Sequence, residues 1–209
     1  IRSEKGYKMK PWIRAFFAAT TLILFPTFSV SVQSEDGAVW HENLSKEQKA
    51  LLLNLAAGAA ILTWGAFTWD YGEEDPHFQG DGWFEKDSPE GGADKFGHTC
   101  SAYALSHLFY YQYQRWGYDQ KQAIQFGCLS SLGVTLLMEI GDSFSDYGFS
   151  YQDALFNILG AAIGYGMVKY PEVARKVDFR VEYDPFREGE HKGDFLTDYE
   201  RLKYIFALK

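Results

Sequence analysis

The stretch GGADKFGHTCSAY, residues 91 to 103, sets Asp94, Lys95 and His98 at the head of an apolar run. Asp94 and His98 are one helical turn apart, so a helix there presents a carboxylate and an imidazole on one side. With the intervening ammonium they suit acid–base work, a clamp on developing negative charge, or a metal. Two other stretches hold pairs three or four residues apart. MEIGD holds Glu139 and Asp142, and SYQDALFN holds Asp153 and Asn157, each pair one turn apart. At that distance both side chains of a pair can face one ligand.

Each residue also has a plainer role. Asp94 is placed to cap the helix that follows it, and Asp153 stands three after Ser150, at the last position of a capping box. His98 shares a helical face with Ala102, Leu105 and Phe109, where a histidine satisfied inside the core is the alternative to a ligand. Asn157 can tie two helices by hydrogen bonds, and Gly160 with Gly164 forms a GxxxG strip suited to close packing. Glu139, inside TLLMEIG, is harder to set aside, because an acid near an apolar interior needs a partner. Lys95 or His98 would serve. His41, His77, His107 and His191 read as structural or solvated, and Cys100 and Cys128 as small buried hydrophobes rather than a disulfide or ligands.

The elements that must position these groups are legible. SKEQ, residues 45 to 48, is a capping box that opens the apolar run 49 to 69, long enough to cross a membrane. Residues 70 to 94 hold nine acids against one lysine, Lys86, a net charge of −8, and with their Gly and Pro read as a loop. Helical segments are predicted at about 95–116, 120–141 and 151–169, joined by WGYD and DSFSDYGFS. Links that short make antiparallel neighbours. The second segment therefore begins, the third ends and the fourth begins at one end of a bundle. Asp94, Lys95, His98, Glu139, Asp142, Asp146, Asp153 and Asn157 gather there, while Arg115, Lys121, Lys169, Arg175 and Lys176 collect at the other. Pro171 stops the fourth helix. VDFRVEY, 177 to 183, alternates as a strand does, and the last residues put Leu196, Tyr199, Leu202 and Phe206 on one face of an amphipathic helix capped by Thr197.

The expected fold is mainly α: an antiparallel bundle of about four apolar helices, membrane-associated, with a short strand and an amphipathic helix at the C-terminus. Residues 1–34 are expected to hold the residues before Met9 and a signal peptide or N-terminal anchor; 40–171 form the bundle domain, and 172–209 a polar extension, with truncation at Lys209 an open alternative. No cysteine follows the apolar run of that signal, so lipid attachment there is not expected. A bundle in the membrane and a soluble periplasmic bundle are both open, since the second segment carries His98, His107, Gln112, Gln114 and Arg115. Aromatics at 18% of the chain suit a surface between apolar and wet surroundings.

A net charge of −8 without a basic stripe excludes nucleic acid as a partner. No Gly-rich phosphate loop, H-E-x-x-H or G-x-S-x-G occurs, so nucleotide and common hydrolase machinery are not expected. A divalent metal is the one cofactor the pattern suggests, on His98, Glu139, Asp142 and Asp153: zinc with imidazole, magnesium or calcium with carboxylates alone. Membrane lipids or another envelope protein are the expected partners.

GWFEKDSPEGGADKFGH, MEIGDSFSDYGFSYQD and FNILGAAIGY resemble the YfiM-like bacterial envelope family, a domain of unknown function. The resemblance spans roughly residues 40 to 206 and rests on DK-x-x-H, E-x-x-D, GFS-x-x-D and N-x-x-G in one order. It implies an exported envelope protein, often described as a lipoprotein, with no established activity. A looser likeness is to VanZ-like membrane proteins, which share DK-x-x-H, a glutamate and D-x-x-x-N-x-x-G. GHTCSAY is only faintly similar to phosphatidic acid phosphatases, whose arginines and second histidine are missing before Asp153. A polar pole facing the periplasm is expected, although a cleaved signal followed by a spanning first helix would put it inside, against the positive-inside rule. Three functions follow: an envelope protein with a ligand- or metal-binding pole and no catalysis, a metal-assisted hydrolase or transferase on a lipid-linked or glycopeptide substrate, or a purely structural protein. In the second, Glu139 or Asp153 is general base, His98 a ligand or acid, and Lys95 steadies negative charge; Asp94, Asp142 and Asn157 complete the candidates.

Overall fold

A computed structural model describes residues 44–80, 82–85, 89–187 and 197–209. The signal-peptide reading of residues 1–34 and His41 and His191 lie outside them. The order of elements is α1 (Lys46–Thr68), a 3₁₀ turn (Pro89–Gly92), α2 (Ala93–Arg115), α3 (Gln120–Asp142), α4 (Tyr151–Lys169), the short α5 (Pro171–Ala174), β1 (Val177–Tyr183) and β2 (Leu202–Leu208). The chain divides into two compact units, one of residues up to Gln79 with Leu137–Phe149 and one of Gly80–Leu136 with Ser150–Lys209.

In the first unit α1 starts as its sequence dictates. The Ser45 hydroxyl accepts from the Gln48 amide at 3.2 Å, and the Gln48 side chain accepts from the Ser45 amide at 2.9 Å. Two amides that a bare helix start leaves unpaired are thereby satisfied. Its end packs through Ala66, Trp69 and Tyr71 against Met138. The Tyr71 ring lies where a side chain on Gly65 or Gly141 would have to go. Its hydroxyl donates to the Met138 carbonyl at 3.0 Å. Residues 70–80 of the acidic segment after α1 form a loop, as composition predicts, held by backbone bonds such as Gly72 N to Phe144 O at 2.8 Å and Phe149 N to His77 O at 2.9 Å.

The second unit is built on α2. Its partner in α3 runs antiparallel, with the Ser131 hydroxyl donating to the Ala102 carbonyl at 2.7 Å and Tyr113 bonded to Ser130 at 2.7 Å. Gly127 lets the two backbones close: a Cβ there would stand 2.9 Å from the Ser106 carbonyl and the Tyr110 amide. Helix α4 lies parallel to α2, because Lys95 meets Asp153 and Thr99 meets Phe156. Gly160 presses on the Thr99 carbonyl and Gly164 on the Ser106 hydroxyl, so the GxxxG strip is a packing surface. Small and hydroxylated residues thus fill the core, among them Ala102, Ser106, Ser131 and Ala161.

The C-terminal helix expected from the sequence is a strand. Leu202–Leu208 pairs antiparallel with Val177–Tyr183, Phe206 opposite Phe179. Thr197 begins a turn rather than capping a helix, and Asp198 and Arg201, both buried, close that turn through a carboxylate–guanidinium pair at 3.2 Å. Leu202, Tyr204, Phe206 and Leu208 fall on one face of the strand, an alternation that suits a pleated sheet as well as the i, i+4 pair suits a helix. The partner strand decides, because pairing with β1 satisfies the backbone of both. The sheet meets α2 through Phe96 stacked on Tyr204 and Tyr103 edge-on to Phe179, with ring centres 6.0 and 5.7 Å apart.

Candidate functional site

Helix α2 opens at Gly92, whose φ of 81° is left-handed and suits glycine. No side chain caps this end, so the expectation that Asp94 caps α2 is overturned. Asp94 lies in the first turn, where a carboxylate is favoured beside the unpaired amides, and its Oδ2 is 2.8 Å from the Lys95 ammonium. Asp153 is brought to the other side of that ammonium, Oδ1 at 2.8 Å. It stands there because Ser150 caps α4 as the sequence predicts, its hydroxyl accepting from the Asp153 amide at 3.2 Å.

One turn further along, His98 Nδ1 is 3.3 Å from Asn157 Oδ1, and its Nε2 is 3.8 Å from Asp153 Oδ2. An amide oxygen accepts, so the imidazole tautomer that carries its proton on Nδ1 donates to it. Thr99 closes the layer by donating to the Lys95 carbonyl at 2.9 Å. Five of the residues predicted to share a pole, Asp94, Lys95, His98, Asp153 and Asn157, therefore form one cluster. Lys95 and Asn157 have no exposed surface, and Asp153 is 5% exposed.

Glu139 and Asp142 belong to the first unit. Glu139 is buried, Asp142 half-buried and Asp146 exposed. Burial and the nearby Asp142 and Glu139 carboxylates push the Tyr71 hydroxyl far above its usual pKa, so it keeps its proton and serves as a donor. Among the described residues no group of three or more His, Cys, Asp and Glu side chains is arranged to hold a metal ion. In the second unit the reason is visible: the Lys95 ammonium already stands between the carboxylates a cation would need.

Three participants went unread in the sequence. Thr99 ties the Lys95 turn to α4, reaching within 3.4 Å of the Phe156 carbonyl. Tyr199 and Tyr204 lie over Gly97, their hydroxyls 3.3 and 3.1 Å from where its Cβ would be. Burial holds the Tyr199 hydroxyl well above its usual pKa, followed by the charges of Tyr204, Asp94, Asp153 and Glu90. The signal available was a glycine inside a helix, which marks close approach of another group.

The remaining candidates are structural. His107 packs edge-on to Tyr103 at 4.6 Å, and burial lowers its pKa. His77 Nδ1 is bonded to the Asp75 carbonyl at 3.0 Å. The cysteines are free and half-buried rather than fully enclosed, and burial pushes Cys100 up to about 11. At the ends of α4 and α5, Lys169 lies over the Tyr165 and Tyr170 rings and Arg175 pairs with Glu172.

The cluster sits wholly within a segment that other proteins share. Residues 80–169 match the family described as predicted periplasmic lipoprotein (DUF2279). The match agrees with an envelope family of unknown function, and its description carries neither the YfiM-like nor the VanZ-like name. Comparison with curated proteins and with solved structures gave no match.

Proposed function

We propose that the chain is a non-enzymatic protein of the bacterial cell envelope, of the YfiM-like kind, anchored to a membrane by α1. In this reading the Asp94–Lys95–Asp153 cluster fastens its helical unit from within. The observation that carries the reading is the burial of Lys95, whose ammonium lies 2.8 Å from both carboxylates with no exposed surface. A general acid, base or electrophile must reach its substrate, and Lys95 does not.

Support for the anchor comes from α1. Its 23 residues have a mean hydropathy of 1.7 over the best window, of which 17% is buried. At 1.5 Å per residue such a helix is about 35 Å long, enough for a hydrocarbon core of about 30 Å. Leu51, Leu55, Trp64 and Phe67 are all exposed. The other apolar helix, α3, has half of its window buried, as a core helix does.

Membranes from a bacterium expressing the full chain, washed with alkaline carbonate, test this reading. The protein is expected in the pellet, and Leu55→Lys with Ala59→Lys is expected to release it, each lysine costing about 2.5–3.5 kcal/mol at a bilayer centre. If the double variant pellets like the parent, α1 is not the anchor.

A further inference from the structure

We propose that the basic end of the second unit docks on an anionic phospholipid surface. Three helices deliver the charge. Helix α2 ends at Arg115, α3 opens beside Lys121, and α4, parallel to α2, closes at Lys169. The chain then passes through α5 to Arg175 and Lys176. Strand pairing returns Lys209 to the same end, where its amide donates to the Lys176 carbonyl at 2.8 Å. These six cations are all exposed, and they stand against Asp119, Glu172 and Asp178. The end thus carries a net charge of +3 in a chain whose total is −8.

The charge is confined to this end. No Asp, Glu, Lys or Arg lies between Lys95 and Arg115 on α2, between Lys121 and Glu139 on α3, or between Asp153 and Lys169 on α4. Asp94 and Asp153 are held at the start of α2 and α4, away from the cations. A field of one sign at one end orients the unit toward a surface of the other sign. Each Lys or Arg close to an anionic bilayer strengthens attachment by about fivefold.

The side chains beside the cations select a bilayer over a soluble acid. Tyr170, Val173 and Leu208 are 53%, 47% and 80% exposed, and each lies within two residues of a cation. At the α2–α3 turn, Trp116 and Tyr118 pack on Tyr113 with ring centres 6.0 and 5.6 Å apart. Trp and Tyr favour the headgroup level of a membrane, where one part of the ring is apolar and the other wet. Lys169 lies over the Tyr165 and Tyr170 rings, 5.3 and 5.4 Å from their centres, so its stem covers apolar surface while its charge stays in water. A small soluble anion would use the cations and leave Tyr170, Val173 and Leu208 in water. A headgroup layer takes both. The inference rests on this end and not on the anchor proposed for α1.

The test places an environment-sensitive fluorophore on Val173→Cys in the full chain, with Cys100→Ser and Cys128→Ser to remove the other thiols. Vesicles of acyl-brominated phosphatidylcholine, with or without phosphatidylglycerol, are the probe. Quenching is expected with phosphatidylglycerol and much less with phosphatidylcholine alone. Raising salt from about 0.1 to about 1 M, which shortens the screening length from about 10 to about 3 Å, is expected to reverse it. The same fluorophore on Tyr151→Cys, at the other end of α4, is expected to show no dependence on phosphatidylglycerol. Lys121→Glu with Lys176→Glu is expected to weaken docking by about 25-fold or more, fivefold for each cation lost. Glutamate suits the first turn of α3, and circular dichroism checks that the fold is kept. Lys121→Gln with Lys176→Gln is expected to fall between this variant and the parent. Flotation reads attachment through α1 separately, so loss of the anchor and loss of the dock are distinguishable. Equal quenching with and without phosphatidylglycerol, quenching that survives high salt, an equal response at residue 151, or parental docking by the charge-reversed variant would overturn the proposal.

Discussion

Replacing Lys95 with methionine keeps the length of the side chain and removes the charge. Asp94 and Asp153 then face each other across a buried space with no cation between them. The ammonium they lose is wholly unexposed and 2.8 Å from each. Breaking a buried pair on one side costs about 3–5 kcal/mol, chiefly because the surviving charge stays in low dielectric. For a chain of this size each kcal/mol moves Tm by about 2–4 °C, so Lys95→Met is expected to lower Tm by roughly 6–20 °C. Thermal unfolding followed by circular dichroism in one surfactant measures it. Asp153→Asn alone should cost a similar amount, since it leaves the ammonium underpaired. The double variant Lys95→Met/Asp153→Asn should lose less than the two single losses added together, because it leaves only Asp94, whose side chain is partly exposed, without the ammonium. A shift below about 2 °C for Lys95→Met, or strictly additive losses in the double variant, would refute the reasoning. The cluster would then be hydrated and its members independent.

The raised pKa values of Tyr71, Tyr199, Tyr204 and Cys100 predict alkaline sensitivity. Each group releases its proton more readily unfolded than folded, so their contribution is full below the unfolded values, about 8.5 for Cys and 10 for Tyr. It is lost as pH rises through the folded ones. Urea midpoints should therefore fall above about pH 9–10, and Tyr199→Phe should flatten that fall. Gly160→Val drives a side chain into the Thr99 carbonyl and should cost about 1–3 kcal/mol, read as a lower urea midpoint, while Gly133→Ala, with open space at its Cβ position, should not. Arg201→Met strands the buried Asp198 and releases the Arg187 carbonyl, which Arg201 Nη2 holds at 2.9 Å. Faster hydrogen exchange across residues 202–208 is the expected result.

The helices were legible because their ends carry chemistry. Segments predicted at 95–116, 120–141 and 151–169 fold as Ala93–Arg115, Gln120–Asp142 and Tyr151–Lys169. Apolar runs bounded by Ser caps, Gly and Pro leave little freedom in where a helix starts and stops. The C-terminus was ambiguous for a reason that periodicity cannot resolve. Leu202 and Phe206 are four apart, which is one turn of a helix and also an even number of strand residues. Only the partner, Val177–Tyr183, distinguishes the two, and no local pattern announces it. Tyr199 was illegible for the same reason, since its place over Gly97 depends on where β2 docks.

The cluster was legible as a neighbourhood and not as a state. Short links told that α2 and α4 start at one end, which places Asp94, Lys95, His98, Asp153 and Asn157 together. They did not tell that the ammonium would be sealed. Sealing follows from the closeness of the two helices, and that closeness belongs to the glycines. Lys95 meets Asp153, Ala102 meets Gly160 and Ser106 meets Gly164, all at the same offset along the chain. One register therefore fixes both the ion cluster and the glycine strip. A side chain at Gly160 would push α4 from the Thr99 carbonyl and open the cluster to water, where an exposed ion pair is worth about 0–1 kcal/mol. Conversely, without the pinned ammonium the two acids would repel and the close glycine packing would have to bear the strain. The charges and the glycines are one device, and any activity that needs Lys95 in contact with a substrate would first have to part α2 from α4 and give up both.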